Sequence, residues 1–399
     1  HLLNEPDNLP RLWVVTQGGA LVTGLPAVQA GNPVQSALWG FGRVVMNEYP
    51  ALECTLVDLA CDPDAADVPR RIQNELLRPD GVNEVVLGKH ARYSLSLHEY
   101  AVPAEQTAEH QTRFRLDFKV PGQLRNLLWL PSQERELDEH EVEVRAMATG
   151  LNFRDVMYLM GLLPDEAVEN GFAGASLGLE FAGVVSRVGA HVHEFQVGDP
   201  VMGFGASCFS SHVVTRDDAL APMPAEWEFE AAATVPTVFF TVYYALKHLA
   251  DLQPGERVLI HGAAGGVGIA AIQLARHLGA EVFATAGNDE KRDFVHLLGA
   301  DHVMDSRSLA FADDILAITD DEGVDVVLNS LAGEAIRRNL RVLKPFGRFL
   351  ELGKRDFFEN TPVGLRPFKD NISYFGIDAD QLLTGRPQLA ARLFREVMA

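Results

Sequence analysis

The chain has 399 residues, of which 47% are hydrophobic and 22% are charged, a composition typical of globular proteins with two or three domains. Its formal net charge of −21 disfavours nucleic acid as a partner and loose attraction to an anionic membrane, because both need a basic surface. A phosphorylated small ligand stays compatible with this charge, since a basic pocket can lie within an acidic protein.

The sequence shows no pattern for export, membrane insertion or disulfide cross-linking. Three scattered cysteines, Cys54, Cys61 and Cys208, offer neither a disulfide framework nor a paired-cysteine zinc site, which indicates a reducing, cytoplasmic setting. No run of about 18 apolar residues predicts a membrane span, and the N-terminus lacks a signal-peptide pattern. The chain begins without Met, as expected for a segment of a longer polypeptide.

Residues 1–108 have the pattern of an α/β unit. A helix is expected at residues 34–49, where Leu38, Phe41 and Val45 recur at helical spacing. The apolar runs bounded by turn residues predict strands at residues 12–16 and 56–59 and a terminal hairpin at residues 84–87 and 93–97. Residues 101–112 are polar and without periodicity, so they predict a linker.

Two further domains are expected beyond the linker. Residues 113–235 contain short apolar runs separated by turns such as Val197-Gly198-Asp199, which predicts a small antiparallel, barrel-like domain. Strands alternate with helices over residues 236–385, as in a doubly wound parallel sheet, and residues 386–399 predict one more helix. The fold class is therefore α/β.

A glycine-rich turn between a strand and a helix is the sharpest local signal. The strand at residues 257–260 runs into this turn, and a helix is expected at residues 268–278. Small residues let the backbone approach a pyrophosphate, whose charge meets free N–H groups at the positive helix end. A purely structural glycine turn is the alternative. The pattern predicts dinucleotide binding by Gly262, Ala263, Ala264, Gly265, Gly266, Val267 and Gly268.

The end of the next strand favours NADPH over NADH. An NAD site usually carries Asp or Glu about 20 residues after the glycines, but residues 284–288 read ATAGN. Basic side chains near this point suit a 2′-phosphate, although Lys291 and Arg292 also fit a solvated helix face. Asp289 and Glu290 weaken the pattern, while they also suit a helix start. The residues expected to contact NADPH here are Thr285, Gly287, Lys291, Ser306 and Arg307.

From about residue 113 onward the sequence resembles the medium-chain dehydrogenase/reductase superfamily. The resemblance is carried, in the family's order, by residues 150–157 (GLNFRDVM), 177–185 (LGLEFAGVV), 197–201 (VGDPV), 232–238 (AATVPTV), 328–331 (LNSL) and 347–354 (GRFLELGK). It is most similar to the zinc-free, quinone-reductase-like branch and, within it, to the enoyl reductase domains of type I polyketide and fatty acid synthases. This resemblance implies a Rossmann domain that binds NADPH and a GroES-like substrate domain.

The first hundred residues point to the same kind of synthase. Residues 12–16 and 32–43 resemble part of the structural, non-catalytic subdomain of a polyketide synthase ketoreductase. The long loop at residues 161–180 is more similar to the loop of lipid-type synthases, including mycobacterial ones, than to that of macrolide modules. The resemblance implies reduction of a trans-2-enoyl thioester carried by an acyl carrier protein, among neighbouring domains of the same synthase. No nucleic acid partner and no membrane insertion are expected, given the net charge and the lack of a long apolar run.

The resemblance also implies residues for the chemistry. It places Lys354 after the strand beneath the nicotinamide and Asp378 in the next strand region, so that Lys354 could donate the α-proton and Asp378 could orient it. A plain structural ion pair is the alternative. Six further residues lie in motifs that line the cofactor cleft of the family: Asn152, Thr237, Asn329, Ser330, Leu352 and Gly353.

Three departures from the family bear on function. Leu163 stands where many members carry a Tyr that acts in α-protonation. Asn152 and Arg154 occupy the early motif in which zinc dehydrogenases place a ligand, and no four-cysteine lobe is present, so no metal is expected. The final barrel strands of the superfamily would be expected after Ala399.

Two other functions stay open at this stage. A zinc-free quinone or enone oxidoreductase would share the fold and the cofactor, although it would have no ketoreductase-like segment. A catalytically silent nucleotide-binding scaffold would suit the missing Tyr, whereas the glycine-rich turn and Lys354 favour an enzyme.

Overall fold

The computed structural model describes residues 10–20, 33–60, 66–89, 91–94, 113–163, 168 and 171–399. The chain divides into two compact units, His1–Glu109 and His110–Ala399. The linker expected at residues 101–112 and the end of the hairpin expected at residues 95–97 lie outside the described residues.

The first unit is a four-stranded sheet with two helices. Its strands are β1 (Trp13–Gln17), β2 (Thr55–Ala60), β3 (Glu84–Gly88) and β4 (Arg92–Ser94), and its helices are α1 (Pro33–Glu48) and α2 (Val68–Leu77). The sheet order is β1-β2-β3-β4, with the first three strands parallel and β4 antiparallel to β3. The α/β pattern expected from the sequence is present.

Helix α1 buries only part of the expected apolar stripe. Its buried residues are Trp39, Gly42 and Val45, whereas Leu38 and Phe41 are exposed. A Cβ at position 42 would lie 2.2 Å from Leu56, so the missing side chain of Gly42 lets the helix approach β2. A glycine carries no apolar signal, which is why the spacing of large residues identified Val45 but not Gly42 as part of the buried face.

The second unit begins with antiparallel strands. They are β5 (Phe114–Phe118), β6 (Leu127–Pro131), β7 (Glu141–Thr149), β8 (Glu180–Val188), β9 (Pro200–Phe204), β10 (His212–Arg216) and β11 (Leu220–Pro222), with helices α3 (Phe153–Leu159) and α4 (Phe229–Ala232). Five of them pair in the order β10-β7-β8-β9-β11, and β5 pairs with β6. The described strands thus form an open sheet and a hairpin.

The remainder of the second unit is a doubly wound sheet. Its strands are β12 (Arg257–Ile260), β13 (Glu281–Ala286), β14 (His302–Asp305), β15 (Val324–Asn329), β16 (Leu343–Glu351) and β17 (Ser373–Gly376). Its helices are α5 (Pro236–Val242), α6 (Gly266–His277), α7 (Asp289–Leu297), α8 (Phe311–Ile318), α9 (Glu334–Val342), α10 (Arg355–Phe358), α11 (Ala379–Gly385) and α12 (Pro387–Met398). All six strands are parallel, in the order β14-β13-β12-β15-β16-β17.

This strand order places the crevice of the sheet between β12 and β15. Chain connections leave these adjacent strands in opposite directions, so their carboxyl ends open into a gap where ligands of such folds bind. The residues that follow β12 and β15 are the glycine-rich turn and Ser330. Two distant motifs are therefore brought to one place.

One helical stretch among the described residues, Phe229–Leu249, is long and apolar enough to cross a bilayer by length and composition. The sequence pattern predicted no membrane span. Phe240, Val242 and Leu246 in this stretch are fully buried and pack in the apolar core of the second unit. That environment is the one of a core helix in a globular domain.

Candidate active site

The glycine-rich turn leaves the N-terminus of α6 open. Gly262 has a φ of 61°, a left-handed conformation that suits glycine. A Cβ at position 268 would lie 2.5 Å from the Cα of Ala263, so Gly268 allows the helix to pack closely on the turn. Gly265 precedes the first turn of α6 and has no side chain to cap it. The helix therefore presents free N–H groups and its positive dipole end to the crevice.

Basic and hydroxyl groups lie beside the end of β13. A Cβ at position 287 would lie 3.4 Å from Nε of Arg307 and 3.6 Å from Oγ of Ser306. The guanidinium of Arg292 contacts Asp289 and lies 3.6 Å from Asp305. Among the described residues, no ion-pair partner faces the side chain of Lys291 or Arg307. Lys291 and Arg307 are thus the cations available to an anion here.

Glu180 links the antiparallel domain to the doubly wound domain. It lies at the start of β8, only 2% exposed, and its carboxylate accepts from Nδ2 of Asn152 at 2.7 Å and from the backbone N–H of Thr237 at 2.8 Å. Burial raises the pKa of Glu180, and these two hydrogen bonds oppose the rise. The hydroxyl oxygen of Thr237 is buried near this carboxylate but makes no hydrogen bond of ordinary geometry. A buried hydroxyl of this kind at a cleft is a position where a ligand amide or hydroxyl would bind.

The GLNFRD motif is held in place by its own charges. Asn152 caps α3 in a capping box with Asp155, whose carboxylate also accepts from the backbone N–H of Gly178 at 2.8 Å. Burial raises the pKa of Asp155, opposed by these hydrogen bonds. Arg154 donates to the carbonyls of Ser176 and Gly174. The side chains of this motif therefore fix the loop before β8.

A buried polar network lies beneath the carboxyl ends of the parallel strands. Nδ1 of His261 lies 2.9 Å from the Thr285 hydroxyl, and its Nε2 lies 2.7 Å from Oδ1 of Asn339. Asn339 donates to Oδ1 of Asn329 at 3.0 Å, and Asn329 donates to the carboxylate of Glu351 at 2.6 Å. All five side chains are buried, His261 being 4% exposed and the others no more than 1%.

Two groups of this network have displaced pKa values. Burial raises the pKa of Glu351 from 4.5 to about 7, against the hydrogen bonds from Asn329 and Gly353. Burial lowers the pKa of His261 from 6.5 to about 4. The imidazole is therefore neutral at neutral pH, and Glu351 exchanges a proton in that range.

Lys354 and Asp378 form an ion pair at the edge of the same crevice. Nζ of Lys354 lies 2.7 Å from Oδ2 of Asp378 and donates to the carbonyl of Ile377 at 3.3 Å. Both side chains are about one-third exposed, so the pair can meet a ligand. Asp378 lies beyond β17, at the start of α11, where it also accepts from Gln381 at 3.0 Å.

The structure brings most of the predicted site residues to one crevice, at different depths. Gly262 and Ser330 are neighbours, since a Cβ at position 262 would lie 3.2 Å from the Ser330 hydroxyl. Thr285 and Asn329 are fully buried, and their polar side-chain atoms are used inside the network. The remaining predicted residues have these positions: Gly262, Gly265, Gly266, Lys291, Arg307 and Ser330 are exposed, Ala264, Val267, Gly287, Ser306, Leu352 and Gly353 are partly exposed, and Ala263 and Gly268 are buried.

Sequence reasoning missed Glu180, His261, Asn339 and Glu351 as parts of this site. Each of them except Asn339 lies in or beside a motif that was noted for other reasons. A signal was present, because a polar residue at the end of an apolar strand run needs a buried partner. The partners lie in other elements, so the sequence could not identify them.

Within the described ranges, no group of three or more His, Cys, Asp or Glu side chains converges as a metal site requires.

Two family profiles match the second unit. The alcohol dehydrogenase GroES-like domain matches residues 138–225, and the family described as zinc-binding dehydrogenase matches residues 266–385. A phenolphthiocerol/phthiocerol polyketide synthase of Mycobacterium tuberculosis is 38% identical over 410 residues, which cover 98% of this chain and 18% of that protein. The chain thus spans about a fifth of the length of this curated relative.

Solved structures share the fold. The CurK enoyl reductase is 41% identical, with a TM-score of 0.66 over 72% of this chain and 87% of that one. The Escherichia coli quinone oxidoreductase, solved with NADPH, is 28% identical, with a TM-score of 0.59 over 71% of this chain and 89% of that one.

Proposed function

We propose that this chain reduces trans-2-enoyl thioesters with NADPH. It belongs to the zinc-free enoyl reductase domains of polyketide synthases, within the medium-chain dehydrogenase/reductase superfamily. The observation that carries this proposal is the Lys354–Asp378 pair, held at 2.7 Å on the edge of a crevice that the glycine-rich turn opens. The crevice would hold the nucleotide, and the pair would supply a proton beside it.

The residues of the crevice fit a dinucleotide. The family binds NAD(P)H, and the cradle of Gly265 and Gly266 at the start of α6 suits a pyrophosphate. We propose NADPH because Lys291 and Arg307 have no ion-pair partner among the described residues, while Arg292 is neutralised by Asp289 and Asp305. The buried hydroxyl of Thr237 would accept or donate a hydrogen bond at the nicotinamide end.

The chain's own residues would handle the proton. When bound, NADPH supplies the hydride that adds to the β-carbon of the thioester. Negative charge would then be shared between the thioester oxygen and the α-carbon. The α-carbon would form its new C–H bond with a proton from Nζ of Lys354, directly or through one water, and the ammonium would become a neutral amine. Asp378 would hold the ammonium in place and return it to the charged state with a proton from solvent. Leu163 cannot donate a proton, which supports our assignment of this task to the Lys354–Asp378 pair.

The wider setting is also part of the proposal. The relatives are large multidomain synthases, so we propose that the substrate arrives on an acyl carrier protein, beside neighbouring domains and in the cytoplasm. The partial resemblance of the first unit to a ketoreductase subdomain supports this setting.

The test is oxidation of NADPH by the purified full chain with a trans-2-enoyl thioester, with NADH and a quinone assayed in parallel. We expect thioester-dependent oxidation that favours NADPH. Turnover of the quinone alone would assign the chain to quinone reduction, and NADPH binding without any turnover would indicate a silent scaffold.

A further inference from the structure

The network of Thr285, His261, Asn339, Asn329 and Glu351 has a fixed direction. The backbone N–H of Leu331 donates to Oδ1 of Asn329, and Nδ2 of Asn329 donates to the carbonyl of Leu331, so this amide has one orientation. Asn339 must then donate to Oδ1 of Asn329, which turns Oδ1 of Asn339 toward His261. His261 therefore carries its proton on Nε2 and accepts from Thr285 on Nδ1.

Glu351 is the end of this network and accepts on both oxygens. Oε2 accepts from Nδ2 of Asn329 and Oε1 accepts from the backbone N–H of Gly353, each at 2.6 Å. The neighbouring residues of β16, Phe349 and Leu350, are fully buried and apolar. An apolar residue would fill the position at a lower desolvation cost, so packing alone does not explain a carboxyl group here.

The bonds of Glu351 reach the two turns that line the crevice. Gly353 directly precedes Lys354, and Asn329 directly precedes Ser330. The backbone N–H of Leu352 also donates to the carbonyl of Asn329 at 2.9 Å, which joins the two turns to each other. Loss of a Glu351 hydrogen bond would therefore remove a restraint on the backbone that carries Lys354.

We propose that Glu351 is a positioning residue for the reduction. It fixes the backbone of the Leu352–Gly353 turn, and with it the position of Lys354, as the end of a buried network that continues to Thr285. This inference rests on the proposed function. Glu351 is not a catalytic residue, because its side chain is only 1% exposed and both of its oxygens accept from groups of the protein. Its effect is expected on geometry in the crevice and less on the affinity for NADPH, since neither the glycine-rich turn nor Arg307, the expected phosphate contacts, is bonded directly to Glu351.

The direct test is Glu351→Gln in the full chain. Glutamine has nearly the same shape, but its NH₂ group must face one of the two N–H donors, so one of the two bonds is lost. We expect kcat with the enoyl thioester to fall about 10- to 100-fold, the range for a small misplacement of reacting groups. We expect the Kd for NADPH to change by less than about threefold, measured by nicotinamide fluorescence.

Asn339→Leu provides a second variant, which removes the hydrogen bonds to Asn329 and His261 but leaves both bonds of Glu351 in place. It breaks the network in the middle and is expected to lower kcat about three- to tenfold. In the double variant with Glu351→Gln, kcat is expected to fall little below that of Glu351→Gln alone, because residues of one network are not additive. Independent, multiplicative effects of the two substitutions would overturn the network.

The matched control is Thr319→Val. Thr319 is buried in the same domain, accepts from the backbone of Gly323 and donates to Ile315, but it lies at the amino end of β15, away from the crevice. It should lower the thermal midpoint and leave kcat unchanged. If Glu351→Gln lowers the midpoint and keeps kcat within about twofold, its role is structural only and the proposal is wrong.

A spectral readout separates this inference from the proposed function. The fluorescence intensity of bound NADPH reports the surroundings of the nicotinamide and needs no turnover. We expect it to change in Glu351→Gln and not in Thr319→Val. An inactive wild-type chain would contradict the proposed function, whereas an unchanged intensity in Glu351→Gln would contradict the positioning role.

Discussion

Nζ of Lys354 lies 2.7 Å from the carboxylate of Asp378, and the same ammonium donates to the carbonyl of Ile377 at 3.3 Å. The two residues come from different elements, Lys354 from the turn after β16 and Asp378 from the start of α11. The pair is about one-third exposed, so solvent screening limits its value for stability. We propose that a role in handling a proton explains its place at the crevice.

This pair makes the first prediction. Lys354→Met should lower kcat for enoyl thioester reduction by about 100-fold or more, the contribution of a general acid, while the Kd for NADPH changes little. Asp378→Asn should have a smaller effect, about tenfold, because the ammonium remains but is less well held. Steady-state kinetics and fluorescence titration measure both. Lys369→Met, which breaks the exposed pair of Lys369 with Asp370, is the control. Full activity in Lys354→Met would reduce the pair to a structural contact.

Arg307 should decide the choice of cofactor. Arg307→Ala should raise the KM for NADPH about tenfold or more and leave the KM for NADH nearly unchanged, because only NADPH carries the 2′-phosphate that a guanidinium binds. Arg276→Ala is the matched control, since Arg276 pairs with Asp301 at the far end of α6. Equal losses with both cofactors would show that Arg307 supports the fold of this corner and not the phosphate.

Gly268 should be essential for the glycine-rich turn. In Gly268→Ala the new Cβ would meet the backbone of Ala263 at 2.5 Å, so the start of α6 must move away from the turn. We expect NADPH affinity to fall about tenfold or more, as measured by titration. Gly364→Ala is the control, because a Cβ there meets no atom within 4 Å. Unchanged affinity in Gly268→Ala would show that the helix start can shift without cost.

Glu351 should make the protein less stable as pH rises from about 5 to 8. Its folded pKa is about 7 against an ordinary 4.5, so between these values the folded state binds a proton that the unfolded state has released. The stabilisation is complete below pH 4.5 and is lost through pH 7, by about 3 kcal/mol. The carboxylate of Asp356 and the phenol of Tyr374 face this group, and the pKa of Tyr374, raised to about 12, keeps the phenol neutral. Denaturant titrations at several pH values should show this slope in the difference in unfolding free energy between the wild type and Glu351→Gln, because the opposing contribution of His261 is common to both.

His261 should remain neutral to unusually low pH. Its folded pKa of about 4 lies below the ordinary 6.5, so its contribution to stability is present above pH 6.5 and is lost as pH falls toward 4. This slope opposes that of Glu351. Nitrogen NMR of the imidazole should show a proton on Nε2 and none on Nδ1 at neutral pH. A proton on Nδ1, or a charged ring at pH 6, would contradict the direction of the network.

Much of the fold could be predicted from local pattern. The alternation of apolar strands and amphipathic helices identified the doubly wound sheet, and the glycine-rich turn identified the start of α6 to within two residues. Such signals are local, because backbone conformation and the period of apolar residues depend on neighbours in sequence. The buried face of α1 was predicted only at Val45, since the contact between Gly42 and Leu56 joins two separate elements.

The sequence by itself determined the order of the elements, the glycine-rich turn and the residue types available for chemistry. Only the tertiary structure decided which of these residues meet. His261 and Asn339 are 78 residues apart in the chain and 2.7 Å apart in the fold, and Glu180 binds Thr237 across 57 residues. A hydrogen bond depends on distance and direction between two atoms in space, and the packing of whole elements sets both. Burial follows from the same packing, and it is burial that raises the pKa of Glu351 and lowers that of His261.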